Sequence, residues 1–258
     1  MNLTGKTILI SGAATGIGKA LAQKLSKEKT KLVLLSRRMN LLEELAVEIT
    51  NNGSTPLIFK CDVAKRDEVL SVFKEIGDKL ESIDVAVLNS GISHRTSLET
   101  VESKIAQETF DVNVMGLVHC VEALTGDFFS QPPSIIAGVS SLADGRGFPK
   151  SGFYCASKAA ATIYLESLRN ELAFKGIKVI TIKPGFVKTP MTDKNEFEMP
   201  FLMPVEKSAE IIFRGLMKEK TIIQFPLPTV MGTKLLKLLP NKIFDFFARN
   251  HLKKTLKK

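Results

Sequence analysis

Short apolar runs rich in β-branched residues recur along this chain, and they constrain its fold more than any other feature. They fall at Thr7–Ile10, Lys31–Leu35, Leu57–Lys60, Val85–Asn89, Ile135–Val139, Lys178–Lys183 and Thr221–Phe225. Between them apolar residues return at helical spacing, as in Leu41, Leu42, Leu45 and Ile49, or Val69, Val72, Phe73 and Ile76. Near-continuous apolar strands alternating with helices belong to a parallel sheet covered on both faces. The pattern predicts an α/β fold, a doubly wound parallel sheet of seven strands, in one domain spanning 1–228. With 44% apolar residues in 258, the chain is long enough to bury such a core. The rhythm stops at Phe225-Pro226-Leu227-Pro228. The remainder, 229–258, reads as a basic amphipathic extension of two short helices separated by Pro240.

The net charge of +9 is unevenly placed. From Thr229 onward eight Lys or Arg stand against Asp245 alone, so the rest of the chain is nearly balanced. A nucleic-acid binder spreads basic residues over a reading face with aromatics between them. The body has no such face, and no nucleic-acid partner is expected. Cys61, Cys120 and Cys155 form no CxxC and no even framework, which argues against a disulfide-stapled secreted fold. The run Thr7–Ile10 is too short for a signal peptide, and no apolar stretch reaches the roughly 18 residues of a membrane span. No His, Cys and Asp cluster has metal-ligand spacing, so no metal is expected. These features predict a cytoplasmic protein.

The first strand ends in Ser11-Gly12-Ala13-Ala14-Thr15-Gly16-Ile17-Gly18, and a helical pattern follows at once with Ala20, Leu21 and Leu25. Glycines between a strand and a helix let the backbone approach a phosphate, and the helix N-terminus adds N–H donors and a favourable dipole. The spacing is G-x-x-x-G-x-G. A P-loop would need glycine at Ala13 and Ser or Thr at Ala20, and has neither. Alone the loop could be a tight turn, but its place after the first strand of an α/β alternation favours a Rossmann-like dinucleotide site. The second strand leaves through Leu35-Ser36-Arg37-Arg38, without the acid that accepts from the ribose 2′-hydroxyl of NAD. Arg37 and Arg38 there suit the 2′-phosphate of NADP(H), which a guanidinium grips in bidentate fashion. Read without that context they are solvated surface charges.

Tyr154 and Lys158 stand four apart at the head of a helical pattern that runs to about Phe174. That spacing puts phenol and ammonium on one helix face. A free phenol titrates near 10, and a neighbouring cation favours phenolate, so the pair is suited to acid–base work. Tyr164, the other tyrosine, has Leu168 one turn on and reads as packing. By itself Tyr-x-x-x-Lys is common, and a surface pair is its ordinary meaning.

In their order and intervals these motifs resemble the short-chain dehydrogenase/reductase family, from about Leu3 to Thr189. The glycine loop matches at Gly12, Gly16 and Gly18, with Ala14, Thr15 and Ile17 within it. Cys61-Asp62-Val63 follows the third strand, where the family holds the adenine ring, so the resemblance places Asp62 and Val63 at the cofactor. Asn89-Ser90-Gly91 stands where the family usually has Asn-Ala-Gly. The resemblance implies that Asn113 holds a relay water and that Ser141 hydrogen-bonds the substrate carbonyl. Tyr154 and Lys158 match the family's acid–base pair. Pro184-Gly185, Val187 and Thr189 match the loop at the nicotinamide end. The implied activity is hydride transfer between NADP(H) and a small-molecule carbonyl or secondary alcohol, by a homodimer or homotetramer. A scaffold or sensor that binds NADP(H) without turnover is the alternative, and it has no need of the whole Ser141, Tyr154 and Lys158 set.

The resemblance also places the family's substrate loop at about 189–205. There Phe197, Met199, Phe201 and Met203, with Asp193, Lys194 and Glu196, favour an apolar substrate, although Met and Phe also simply pack. Ser140 reads as structural, His94 as a loop histidine, His119 as helix packing and Cys155 as a small buried residue. In the extension, Leu235, Leu236, Leu239, Ile243, Phe244, Phe246 and Phe247 alternate with Lys234, Lys237, Lys242 and Arg249. Such helices either fold back over the body or lie in a membrane interface.

Overall fold

The seven apolar runs form seven strands in the computed structural model of the protein: β1 (Thr7–Ser11), β2 (Lys31–Ser36), β3 (Thr55–Lys60), β4 (Val85–Leu88), β5 (Ile135–Val139), β6 (Lys178–Pro184) and β7 (Ile222–Phe225). The structure describes residues 1–96, 101–195 and 197–256, with the backbone alone for 251–256. Every neighbouring pair is parallel, in the order β3-β2-β1-β4-β5-β6-β7. This is the doubly wound sheet that the alternation predicts. β3 begins two residues before its apolar run, at Thr55-Pro56. Pro56 reads as a breaker, yet it is tolerated because β3 is an edge strand and needs fewer ladder donors.

The helices are α1 (Gly16–Leu25), α2 (Met39–Asn51), α3 (Arg66–Lys79), α4 (Ser103–Phe110), α5 (Gly116–Thr125), α6 (Gly152–Ala173), α7 (Val205–Met217), α8 (Leu227–Leu238) and α9 (Asn241–Leu256). They cover both faces, which is why the central strands are apolar at nearly every position, whereas β7 at the edge buries only alternate residues. Successive side chains of a strand point to opposite faces. On β1, Ile8 and Ile10 join Leu21, Leu25, Leu42, Leu45, Ile212 and Leu216 from α1, α2 and α7. Leu9 joins the other layer, with Val69 and Phe73 of α3, Leu124 of α5 and Leu165 of α6. Each such buried side chain is worth about 1.5–3 kcal/mol of transfer free energy.

The chain winds outward from β1 to β3 and then returns to β4 beside β1. The carboxyl ends of β1 and β4 therefore part at a switch point, where open α/β sheets bind ligands. One hydroxyl spans that gap: Ser11 Oγ accepts from the backbone N–H of Asn89 at 3.0 Å and of Ser90 at 3.1 Å.

After β7 the two expected helices appear, parted at Pro240, with α8 beginning at Leu227. They dock on the segment that follows β5. Phe244 of α9 meets Phe148 edge-on at 6.1 Å. Asp144, in a 3₁₀ turn at Leu142–Gly145 and 3% exposed, receives Lys183 of β6 at 2.6 Å, Thr162 of α6 at 2.7 Å and Lys237 of α8 at 3.4 Å. Burial raises the Asp144 carboxyl, but hydrogen bonds from Lys183 and Thr162 and the charges of Lys183 and Lys237 outweigh it and hold it below its ordinary value.

Asp144→Ala is expected to cost about 3–5 kcal/mol, because it strands the partly buried Lys183 ammonium. A lowered folded-state value means the contribution is whole above the ordinary carboxylate pKa of about 3.9 and fades as pH falls through the folded one. Urea titrations should show the gap between wild type and variant narrowing in acid. Equal midpoints at neutral pH would show that the cluster carries no stability.

Candidate active site

At the switch point the structure has a cleft of about 710 Å³. The strand β1 and helix α1 supply its glycine wall. Gly12 has φ +66, the left-handed region, and a β-carbon there would lie 3.0 Å from the Ser90 backbone. A β-carbon on Gly18 would run into the Gly12 carbonyl, so α1 can start this close to the loop only with glycine at both positions. Asn89 holds the opposite side, its Nδ2 donating to the carbonyls of Ser11 and Gly12 at 3.2 Å each.

The exit of β2 brings both arginines to the cleft. Arg38 Nη2 donates to Thr15 Oγ1 at 2.8 Å and so braces the glycine loop. Arg37, 57% exposed, makes among the described residues a loose 3.9 Å approach to Asp62. The shape and chemistry fit a dinucleotide. There is a glycine cradle for the phosphates, Asp62 and Val63 line one wall, and two cations stand where NAD-selective sites have an acid.

At the other end stand Ser141, Tyr154 and Lys158, all lining the cleft. Ser141 caps the 3₁₀ turn by accepting from the Ala143 N–H at 3.1 Å, and its own hydrogen faces the Tyr154 phenol. Lys158 is 4% exposed, and its ammonium donates to the Val139 carbonyl at the end of β5 at 2.9 Å. Burial pulls its pKa down to about 8. It lies 5.9 Å from the centre of the Tyr154 ring. Burial pushes the Tyr154 phenol up, and the hydrogen bond with Ser141 opposes without reversing it. The expected lowering of the phenol by Lys158 is therefore not what this geometry gives: desolvation outweighs the opposing hydrogen bond, and one of the three ammonium donors goes to Val139.

Asn113 lies in a π-helical turn, Asp111–Met115, between α4 and α5. Such turns are rare and occur often at functional sites. Its side chain receives Ile92 N–H at 2.8 Å and donates to Ile92 O at 2.9 Å and Ser157 Oγ at 3.0 Å. Ser157 in turn donates to the Tyr154 carbonyl at 2.8 Å. Both amide hydrogens are committed, so Asn113 positions α6 and the Ile92 strand exit, and a relay water could use only the remaining lone pair of Oδ1.

Ser90, Gly91, Pro184, Gly185, Val187 and Thr189, with Gly16 and Ile17, also line the cleft. Ala14 and Gly18 are buried beneath the glycine loop and do not. Ser140 is structural, donating to the Lys158 carbonyl at 2.9 Å. His119 Nδ1 lies 3.0 Å from the Val63 carbonyl, so it packs as expected. Cys155 is buried with its thiol raised by burial, which removes any exposed reactive thiol beside Tyr154. His94 lines the cleft 3.3 Å from Glu108, closer to the site than a loop histidine suggested.

Within the substrate loop some of the apolar residues pack on the body. Phe197 packs edge-on against Phe186 at 5.8 Å and beneath Arg95 at 4.6 Å, and Met203 is buried in the core. The loop meets the cleft through Met191, Thr192 and Lys194 instead. Glu196 lies outside the described residues. Among the described residues no group of His, Cys, Asp and Glu could hold a metal ion, and no helix is long and apolar enough to cross a membrane.

Comparison with known proteins accords with this arrangement. Residues 6–199 match the short chain dehydrogenase family. The chain belongs to that family. This short-chain dehydrogenase is 32% identical over 244 residues to an uncharacterized oxidoreductase of Myxococcus xanthus, covering 95% of this chain and 96% of that one. It is 35% identical over 201 residues to farnesol dehydrogenase of Aedes aegypti, covering 75% and 82%. A short-chain dehydrogenase/reductase of Burkholderia phymatum in complex with NAD shares the fold, with a TM-score of 0.82, 21% identity and coverage of 91% and 94%. As a family member the protein is an oxidoreductase of alcohols and carbonyls that uses a nicotinamide cofactor.

The buried ammonium has a cost that stability should reveal. Lys158 has a folded pKa below its unfolded one, so its penalty is full below about pH 8 and vanishes near the unfolded value of about 10.4. Lys158→Met should raise the stability of the cofactor-free protein at pH 7 by up to about 3 kcal/mol, since each pKa unit is worth about 1.4 kcal/mol. The gain should shrink as pH rises toward 10. A thermal melt lowered by the substitution at pH 7 would contradict this.

Proposed function

We propose that this short-chain dehydrogenase is an NADP(H)-dependent oxidoreductase that reduces a carbonyl, or oxidises a secondary alcohol, on an apolar substrate. The observation that carries the reading is the meeting of Ser141, Tyr154 and Lys158 at one end of a cleft whose other end holds the glycine loop and Arg37. The cofactor-binding set would be Gly12, Ala14, Thr15, Gly16, Ile17 and Gly18, then Arg37, Arg38, Asp62 and Val63, then Asn89, Ser90 and Gly91, and finally Pro184, Gly185, Val187 and Thr189, with Tyr154 and Lys158. Asn113, Ser141, Tyr154 and Lys158 form the catalytic set, Asn113 acting as a positioning residue. We place the enzyme in the cytoplasm as a homodimer or homotetramer, with the domain at 1–228 and the extension 229–258 touching membranes only peripherally.

When bound, NADPH supplies the hydride. Ser141 would turn its hydrogen from the Tyr154 phenol to the carbonyl oxygen and orient it. Tyr154, kept protonated by burial, gives that oxygen its proton as negative charge develops there. A phenol at or above its ordinary value of about 10 carries its proton at neutral pH, so Tyr154 starts in the protonated form that reduction requires. Burial alone makes it no stronger an acid. Lys158, with two donors left after Val139, would hold the ribose of the bound cofactor and place positive charge near the phenolate that proton transfer leaves. The Met191 edge of the loop and the name of the Aedes relative, farnesol dehydrogenase, both support an apolar substrate.

Tyr154→Phe is expected to lower kcat by roughly 10²- to 10⁴-fold, the usual share of a general acid. NADPH binding should stay within a few-fold, because the ring still fills its place. Lys158→Ala should lose both. Turnover of wild-type size in Tyr154→Phe, measured by NADPH oxidation with a panel of ketones and aldehydes of graded chain length, removes the mechanism.

Cofactor choice is assigned chiefly to Arg37, with Arg38 as helper. A charge-assisted hydrogen bond is worth about 1.5–3 kcal/mol, so Arg37→Ala should weaken NADPH roughly 10- to 150-fold and NADH little. Titration of both nucleotides by fluorescence checks this. Equal kcat/KM for NADH and NADPH in the unmutated enzyme would overturn the assignment.

A further inference from the structure

The outer sides of α8 and α9 carry a pattern that the cleft does not use. On α8, Leu227, Met231, Leu235 and Leu238 are all exposed, Leu238 by 81%. Their spacing of four, four and three puts them in one row along the helix. On α9, Ile243, Phe246 and Phe247 are exposed at spacing three and four. Single exposed apolar residues are ordinary, but continuous rows are not. At 3.6 residues per turn Lys234 borders the α8 row, while Lys242 and Arg249 border the α9 row on one side.

The inner sides of the same helices are fastened. Arg146, five residues beyond Ser141, donates through Nε to the Leu236 carbonyl at 2.9 Å and through Nη1 to Asn241 at 2.8 Å. Its Nη2 reaches the carbonyls of Lys237 and Leu239. A guanidinium on the last carbonyls of α8 satisfies orphan acceptors and complements the helix dipole. The same group lies 4.9 Å from the centre of the Phe244 ring, and Phe244 and Val230 are buried. The extension is thus held to the body by one side, and its apolar rows are turned away from that side.

We propose that the outer faces of α8 and α9 are a docking surface for membranes carrying anionic lipid. The apolar rows enter the headgroup region, and Lys234, Lys242 and Arg249 meet the lipid phosphates. Charge decides for lipid over a second copy of this chain. From Thr229 onward Asp245 is the one acid against eight basic residues, so a copy would set like charges together, whereas an anionic bilayer complements them. The inference rests on the peripheral contact proposed for the extension and is independent of the reaction.

The test is co-sedimentation of the full chain with phosphatidylcholine vesicles, with and without phosphatidylglycerol, at low and high salt. Binding is expected only with phosphatidylglycerol and should weaken as salt shortens the Debye length. Lys234→Gln, Lys242→Gln and Arg249→Gln should each lower partitioning about fivefold, and on the order of 100-fold together. Leu235→Ser with Leu238→Ser should abolish it while leaving the melting temperature and NADPH-dependent activity in solution unchanged. Equal binding to both vesicle types would overturn the anionic surface and leave peripheral contact standing. Binding to neither would overturn both. A smaller sedimentation coefficient for the leucine variant, without vesicle binding by the wild type, would assign the rows to contact between copies.

Discussion

A single hydroxyl sits where the whole architecture divides. The sheet is wound outward from β1 in one direction and from β4 in the other, so their carboxyl ends separate and leave backbone donors without strand partners. Ser11 Oγ takes the N–H groups of Asn89 and Ser90 across that gap. Asn89 returns the contact by donating to the carbonyls of Ser11 and Gly12. These bonds set the glycine loop and the Asn89-Ser90-Gly91 turn at a fixed separation, and the cleft between them exists because of it. Buried backbone groups must be paired, and here their pairing also draws the outline of the site.

From that junction the polar side chains form two connected networks beneath the reactive end. Asn113 joins Ile92 to Ser157, and Ser157 reaches the carbonyl of Tyr154. On the other side Ser140 and Asp144 both engage Thr162, while Lys183 brings β6 to the same carboxylate. Tyr154 and Lys158 sit on α6 between these supports. A site whose functional groups are held by such bonds does not have to reorganise when charge moves. The offsetting cost is a buried ammonium and a buried phenol, each pushed toward its neutral form by desolvation.

Much of this was legible from local pattern. Strands buried on both faces are apolar nearly throughout, so the central ones announced themselves; the edge strands β3 and β7 still carried short apolar runs, and Pro56 concealed only the start of β3. The glycine loop, the Arg37-Arg38 exit and the four-residue spacing of Tyr154 and Lys158 are also local features. They lie where the sequence placed them. The Ser141 assignment needed the family resemblance, because nothing near Ser141 marks it apart from Ser140. Their difference lies in what they face: Ser140 bonds the Lys158 carbonyl, and Ser141 caps a turn at the cleft wall.

What was not legible depends on partners far apart in sequence. The π turn at Asp111–Met115 inserts one residue into a helix whose apolar spacing looks continuous, and only the contact of Asn113 with Ile92 and Ser157 gives it a purpose. The fate of Phe197 was hidden likewise, since an aromatic beside the cleft reads the same whether it lines the pocket or packs on Phe186. The extension is the sharpest case. Its amphipathic rows announce one side that avoids water and one that carries charge, but periodicity cannot say how many apolar sides a helix needs. Arg146 resolves this: because it binds the α8 carbonyls and covers Phe244, the body takes the inner side, and Leu227, Met231, Leu235 and Leu238 form a second apolar side. A helix that only folds back over a core needs one such side. The second stays exposed among the described residues, and its basic border gives it a direction to face.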